Sequence, residues 1–143
     1  MSNHVYDMKE NFDPIKSCSR KILAISDTMD ILNGKWKMSI IACLCYKPMR
    51  YSELLREVKG ISGKVLSREL KDLEMNELIE RIVLNTAPVA VEYRITDYGN
   101  SLKDLTNTIA EWGFIHRERI ISTMKKEWAG VYVVYTYGKV KLY

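Results

Sequence analysis

Apolar positions along this chain recur first at helical spacing, then in alternation, then at helical spacing again. Ile22, Leu23, Ile25, Met29 and Leu32 make the first helical set, and Asn33-Gly34 supplies a C-terminal stop. Trp36, Ile40, Ile41 and Leu44 predict a second helix over 35–45. It ends at Lys47-Pro48, because the residue before a proline is pushed out of helical geometry. A shorter periodic segment, 52–58, closes at Lys59-Gly60. The helix after it, about 62–76, has two chemically opposite sides. At 3.6 residues per turn, Leu66, Leu70 and Leu73 share a stripe about 60° wide. Lys64, Arg68 and Lys71 share the opposite stripe, with Ser67 beside them. The leucines can anchor the helix in a core while the cations and the hydroxyl face outward.

From residue 79 the period changes. Ile82 and Leu84 alternate with Arg81 and Val83, and Val91, Tyr93 and Ile95 alternate with Glu92 and Arg94. The connection Asn85-Thr86-Ala87-Pro88 is longer than a two-residue turn, so a projecting β-hairpin is predicted over 79–96. Thr96-Asp97 offers an N-cap for a long last helix. There Leu102, Leu105, Ile109 and Trp112 form an apolar seam, and Gly113 is a candidate interruption. The Val- and Tyr-rich segment 131–143 predicts strand, turning at Gly138.

Two helices joined by a tight Gly-containing turn, the second presenting cations, form the layout of a DNA-reading helix-turn-helix. A hairpin directly after such a helix is a wing. The expected fold class is therefore mainly α with a small β-hairpin wing (α+β), a winged helix-turn-helix flanked by N- and C-terminal dimerisation helices. The expected organisation is an N-terminal arm, 1–17, a winged helix-turn-helix domain including the dimerisation helices, 18–126, and a C-terminal extension, 127–143.

Composition narrows the function classes. With 143 residues, 47% hydrophobic and 28% charged, the chain has the makings of one globular domain with a real core. A net charge of +4 suits a polyanionic partner without requiring one. The first residues lack the apolar stretch of a signal peptide, and nothing approaches a membrane span, so the expected location is cytoplasmic. Three cysteines, an odd number, fit a reducing compartment. Cys43 and Cys45 stand two apart on a helix and point to nearly opposite sides, so they cannot easily share a metal or a disulfide. With only His4 and His116 to add, zinc-ligand spacing is absent, and no cofactor is implied.

Several ordered fragments resemble the HxlR-type winged-helix transcriptional regulators, relatives of the MarR group. They are Gly34-Lys35-Trp36, Arg50-Tyr51-Ser52-Glu53-Leu54, Gly60-Ile61-Ser62, Leu66-Ser67, Leu70-Lys71-Asp72-Leu73-Glu74, Val91-Glu92-Tyr93, Thr96-Asp97-Tyr98-Gly99 and Trp112-Gly113. The resemblance covers roughly 23–117 and implies a homodimer on operator DNA, joined through its N- and C-terminal helices. Three positions depart from the pattern. Ala90 stands where many members carry a basic wing residue, and Leu23 stands where redox-sensing members carry a cysteine. The tail after Lys126 has no counterpart.

The candidate DNA-binding residues follow from this frame. Arg68 can fork onto a guanine edge, Lys64 and Lys71 can meet guanine or phosphate, and Ser67 either. Arg50 and Ser52 stand at the start of the first motif helix, where Ser52 can cap the helix and a phosphate would be well received. The wing supplies Arg81, Asn85, Thr86 and Arg94, of which Asn85, Thr86 and Arg94 are preferred for contacts that position rather than read. Ile22, Ile25, Leu102, Leu105, Ile109 and Trp112 are the expected dimer interface. Cys18 is the one candidate reactive thiol, so the unknown effector is either a small molecule or an oxidant. Two other classes compete. An enzyme is disfavoured because His116 has no nucleophile motif, phosphate loop or metal site beside it. A winged-helix protein–protein adaptor without DNA binding is the alternative, although adaptors present apolar anchors rather than cations.

Overall fold

The computed structural model describes residues 14–127 together with the strands 133–136 and 139–142. The chain divides into two compact units, Met1–Asn33 and Gly34–Tyr143. The described part of the first unit is helix α1, Pro14–Leu32. Proline at the first helical position suits a site whose N–H would have no intrahelical partner. Helix α1 begins at Pro14, where Asp13-Pro14 offers a start for a turn or helix within the expected arm, and residues 1–13 of that arm lie outside the described residues. Ile22, Leu23, Ile25 and Met29 are all exposed along α1.

The second unit runs α2 (Lys37–Tyr46), β1 (Met49–Arg50), α3 (Tyr51–Glu57), α4 (Gly63–Met75), β2 (Ile79–Leu84), β3 (Ala90–Ile95), α5 (Asp97–Asn100), α6 (Lys103–Glu127), β4 (Val133–Thr136) and β5 (Lys139–Leu142). Its core is aliphatic. Ile40, Ile41 and Leu44 from α2, Leu54 from α3, Leu66, Leu70 and Leu73 from α4, Leu78 just before β2 and Ile79 at its start are almost fully buried. At about 1.5–3 kcal/mol for each aliphatic side chain removed from water, this cluster is the main force holding α4 in place. Helix α2 packs on α6, β3 and α3, and α4 packs on β2.

The expected hairpin forms from β2 and β3, and β1 joins it to give a three-stranded antiparallel sheet in the order β1-β3-β2. β2 and β3 pair from Ile79↔Ile95 to Leu84↔Ala90, and β1 adds Met49↔Tyr93 and Arg50↔Glu92. The periodicity of the chain cannot show β1, since two residues carry no period and their pairing partners lie some forty positions away. Thr96 locks the sheet to the exit of α4. Its hydroxyl donates to the Glu77 carbonyl at 2.7 Å, and its backbone N–H donates to the Leu78 carbonyl at 3.1 Å.

Three details of the final region correct the sequence-based expectation. Thr96 does cap a helix, accepting the Gly99 N–H at 2.9 Å, but that helix is the four-residue α5. A Cβ at Gly99 would overlap the Leu78 carbonyl, so this close approach requires glycine. Leu102 then lies in the turn before α6 rather than inside the long helix. Gly113 interrupts nothing: α6 runs unbroken through it for 25 residues. The tail pairs with itself, β4 against β5 in antiparallel register from Val133↔Leu142 to Thr136↔Lys139. Trp128 and the expected turn at Gly138 lie outside the described residues. Among the described residues no helix is long and apolar enough to cross a membrane.

Candidate nucleic-acid interface

Helix α4 is set at its angle by the turn before it. The Val58 N–H closes α3 on the Leu54 carbonyl at 2.9 Å, and Gly60 takes φ +91°, a left-handed conformation that glycine adopts without strain. Ser62 then caps α4, its hydroxyl accepting the Val65 N–H at 3.3 Å. This is the N-cap role a serine performs best, since it satisfies a donor the helix itself cannot. Tyr51 ties the two motif helices together. Its hydroxyl donates to the Gly63 carbonyl at 2.7 Å and accepts from the Ser67 hydroxyl at 3.2 Å.

With its leucines buried, α4 turns Lys64, Ser67, Arg68 and Lys71 to the exposed side. The four residues expected on one surface are therefore together there. Ser67 has its proton committed to Tyr51, which leaves it an acceptor toward anything outside. Lys64 and Lys71 make no ion pair among the described residues. Arg68 does: its Nη2 lies 3.3 Å from Oε1 of Glu69.

Glu69 is the residue that the amphipathic pattern of α4 obscures. Its side chain is only 8% exposed, and its Oε2 accepts from Nζ of Lys37, itself 6% exposed, at 2.6 Å. Lys37 also reaches Oδ2 of the half-exposed Asp72 at 3.4 Å. A signal for this cluster exists in the chain. Lys37 falls on the same stripe of α2 as Ile40, Ile41 and Leu44, and Glu69 falls within about 60° of Leu66 on α4. A charge on an apolar stripe demands a buried partner.

Arg50 is exposed, occupies the edge strand β1 and is the N-cap residue of α3. Ser52 is exposed as well, but it does not cap α3. The helix begins one residue earlier than expected, at Tyr51, and the Glu53 carboxylate accepts the Arg50 N–H at 2.8 Å. Glu53 performs the closing role because a carboxylate at the third helical position reaches back to the cap N–H. That hydrogen bond, with Lys47 and Arg56 nearby, holds its carboxyl below the usual value.

In the wing, Asn85 and Thr86 are exposed at the tip. The Thr86 hydroxyl donates to the Pro88 carbonyl at 2.8 Å, which folds the tip on itself. Arg94 is more occupied than its sequence position suggests. Its Nε donates to Oε1 of Glu92 at 2.8 Å, and it stands directly opposite Glu80 in the sheet. Among the apolar candidates, Leu105, Ile109 and Trp112 are exposed along α6, Trp112 stacking on His116 at 5.0 Å, while Leu102 is half-buried. Cys18 is exposed on α1, whereas Cys43 and Cys45 are half-buried and burial pushes both thiols up, aided at Cys43 by Glu57.

The model of the HxlR-like helix-turn-helix family matches residues 31–121. The chain belongs to this family. It is a transcriptional regulator with a helix-turn-helix domain. Among HxlR-like relatives, it is 36% identical over 98 residues to the uncharacterized HTH-type transcriptional regulator YtcD of Bacillus subtilis, covering 68% of this chain and 78% of YtcD. It is 40% identical over 97 residues to YdzF of the same organism, also an uncharacterized HTH-type regulator, covering 67% of this chain and 89% of YdzF. The reduced form of the transcriptional regulator YodB from B. subtilis superposes with a TM-score of 0.57 at 34% identity, over 62% of this chain and 87% of YodB. The winged helix-turn-helix expected from the pattern is thus the fold of this HxlR-like chain.

Proposed function

We propose that this HxlR-like regulator binds operator DNA as a homodimer, with α4 in the major groove and the hairpin β2–β3 as its wing. The observation that carries this reading is the exposed row Lys64, Ser67, Arg68 and Lys71 on a helix whose opposite side is sealed in the core. Such a row offers a forked donor for guanine and point charges for phosphates. Arg50 and Ser52 flank it at the start of α3, suited to the backbone, and Asn85, Thr86 and Arg94 are the wing's contributions.

A second copy of the chain supplies the symmetry. On α1, Ile22 and Ile25 are exposed, and on α6, Leu105, Ile109 and Trp112 continue the seam begun at Leu102. Apolar faces of this kind favour self-association. A two-fold dimer would place two recognition helices in successive major grooves, about 34–36 Å apart, and so calls for a pseudo-palindromic operator. An effector, a small molecule or an oxidant acting at Cys18, would shift the population between dimers that fit this spacing and dimers that do not.

Selection of bound sequences from a random duplex pool tests the proposal, with sedimentation to give the stoichiometry. The expected result is a pseudo-palindromic site bound by two chains, with affinity falling steeply as salt rises. Stoichiometric capture of another protein, with no duplex enriched, would favour the adaptor instead.

A further inference from the structure

We infer that Glu69, clamped by Lys37, is the positioning residue for Arg68 and makes it the sequence-reading cation of α4. The inference rests on the DNA reading of α4 proposed above. Both carboxylate oxygens of Glu69 have partners: Oε2 meets the buried ammonium of Lys37 at 2.6 Å, and Oε1 meets Nη2 of Arg68 at 3.3 Å. Only Arg68 of these three reaches solvent, its side chain 66% exposed. With Asp72 included, two cations and two carboxylates form a neutral group that runs from the core to the surface.

The burial of the acceptor decides what this contact does. An exposed arginine–carboxylate pair is weak because two long side chains must be ordered at once. Here the carboxylate is already fixed by packing and by Lys37, so only the arginine has freedom to lose. The guanidinium is rigid and carries five donors, so one contact orients the plane and leaves other N–H groups for a base edge. Lys64 and Lys71, on the same face, make no ion pair among the described residues. They act as movable point charges, suited to phosphates whatever the sequence. Selectivity therefore concentrates in the chain Lys37–Glu69–Arg68, and general affinity in the two lysines.

The test compares wild type, K37M/E69L and E69Q, each with and without R68A. Each binds the duplex selected by the wild type, the same duplex with base pairs changed in each half-site, and an unrelated duplex. K37M/E69L replaces buried ions by apolar groups of similar volume, a change that folds commonly tolerate. In K37M/E69L the preference for the selected duplex is expected to fall about tenfold, the worth of a forked base contact. Affinity for the unrelated duplex, and its salt dependence, should match the wild type. R68A should then add little, whereas in the wild type it causes the same tenfold loss by itself. E69Q keeps one acceptor oxygen, which the buried Lys37 ammonium takes, so its NH2 faces Arg68 and the preference should fall as in K37M/E69L. If K37M/E69L lacks a cooperative melt, E69Q, which keeps an acceptor for Lys37, carries the same comparison.

Unchanged preference in a folded variant overturns the inference. So does an equal loss on selected and unrelated duplexes, which marks a merely structural role. A wild-type chain that prefers no duplex sequence overturns the DNA reading itself and this inference with it.

Discussion

Lys37 and Glu69 meet at 2.6 Å with both side chains buried, thirty-two residues apart in the chain and on different helices. Taking either charge out of water is costly, and their contact offsets that cost only while both are present. Lys37→Met alone should therefore destabilise the fold by about 3–5 kcal/mol, because it leaves a buried carboxylate with the outward Arg68 alone. K37M/E69L should recover most of that loss. Urea unfolding of the two variants measures it, and equal stability of the single and double variants would contradict the argument.

Thr96 joins three elements through one side chain, linking β3, the exit of α4 and the start of α5. Thr96→Val keeps the shape but removes the hydroxyl, and should cost about 1–2 kcal/mol, the usual worth of an N-cap oxygen. A thermal melt checks it. An unshifted midpoint would show that the α5 cap contributes nothing.

Glu53 should titrate below its usual value near 4.5, since its carboxylate accepts the Arg50 N–H and Lys47 and Arg56 stand nearby. The sign follows from linkage. A carboxyl whose folded value is depressed adds stability above its unfolded value, and loses it as the pH falls through the folded one. Carbon-detected NMR of the Glu53 carboxyl should give a midpoint under 4.5, and Glu53→Gln should flatten the acid limb of the stability profile. A midpoint at or above 4.5 would contradict the assignment of Glu53 as the group that closes α3.

The three thiols should separate by reactivity. Burial raises Cys43 and Cys45, and the thiolate is the reacting form, so both are slow near neutral pH. Cys18 is exposed on α1 and should be alkylated first. Timed modification followed by peptide mass analysis gives the order. Labelling of Cys43 or Cys45 ahead of Cys18 would contradict it.

Much of α4 is legible in the chain because its two stripes differ in kind, leucine against cation, over almost three turns. The α1 and α2 periodicities and the β2–β3 alternation were legible for the same reason: each is a local repeat longer than one period. What escaped was non-local or short. β1 exists through its pairing with Tyr93 and Glu92, and α5 through the Thr96 cap and the tight seat of Gly99. Ser52 was a reasonable cap by composition, yet Glu53 competes successfully by reaching the Arg50 N–H, which moves the helix start to Tyr51. Gly113 looked like a break, but a single glycine costs a long helix only about 1 kcal/mol, which its remaining hydrogen bonds absorb. In the site, exposure of Lys64, Arg68 and Lys71 followed from the wheel. The occupation of Arg94 by Glu92 and of Arg68 by Glu69 did not, because the pattern locates faces and not the partners that side chains choose.

The affinity of R68A and of K64A/K71A for the selected duplex, measured across salt concentration, tests most directly whether the outward face of α4 meets DNA. R68A should relax sequence preference and cost about 1–3 kcal/mol on the selected duplex. K64A/K71A removes four cations from the bound dimer, so it should weaken every duplex alike and reduce the salt slope by about 4. Unchanged affinity, preference and salt slope in both variants would contradict the account.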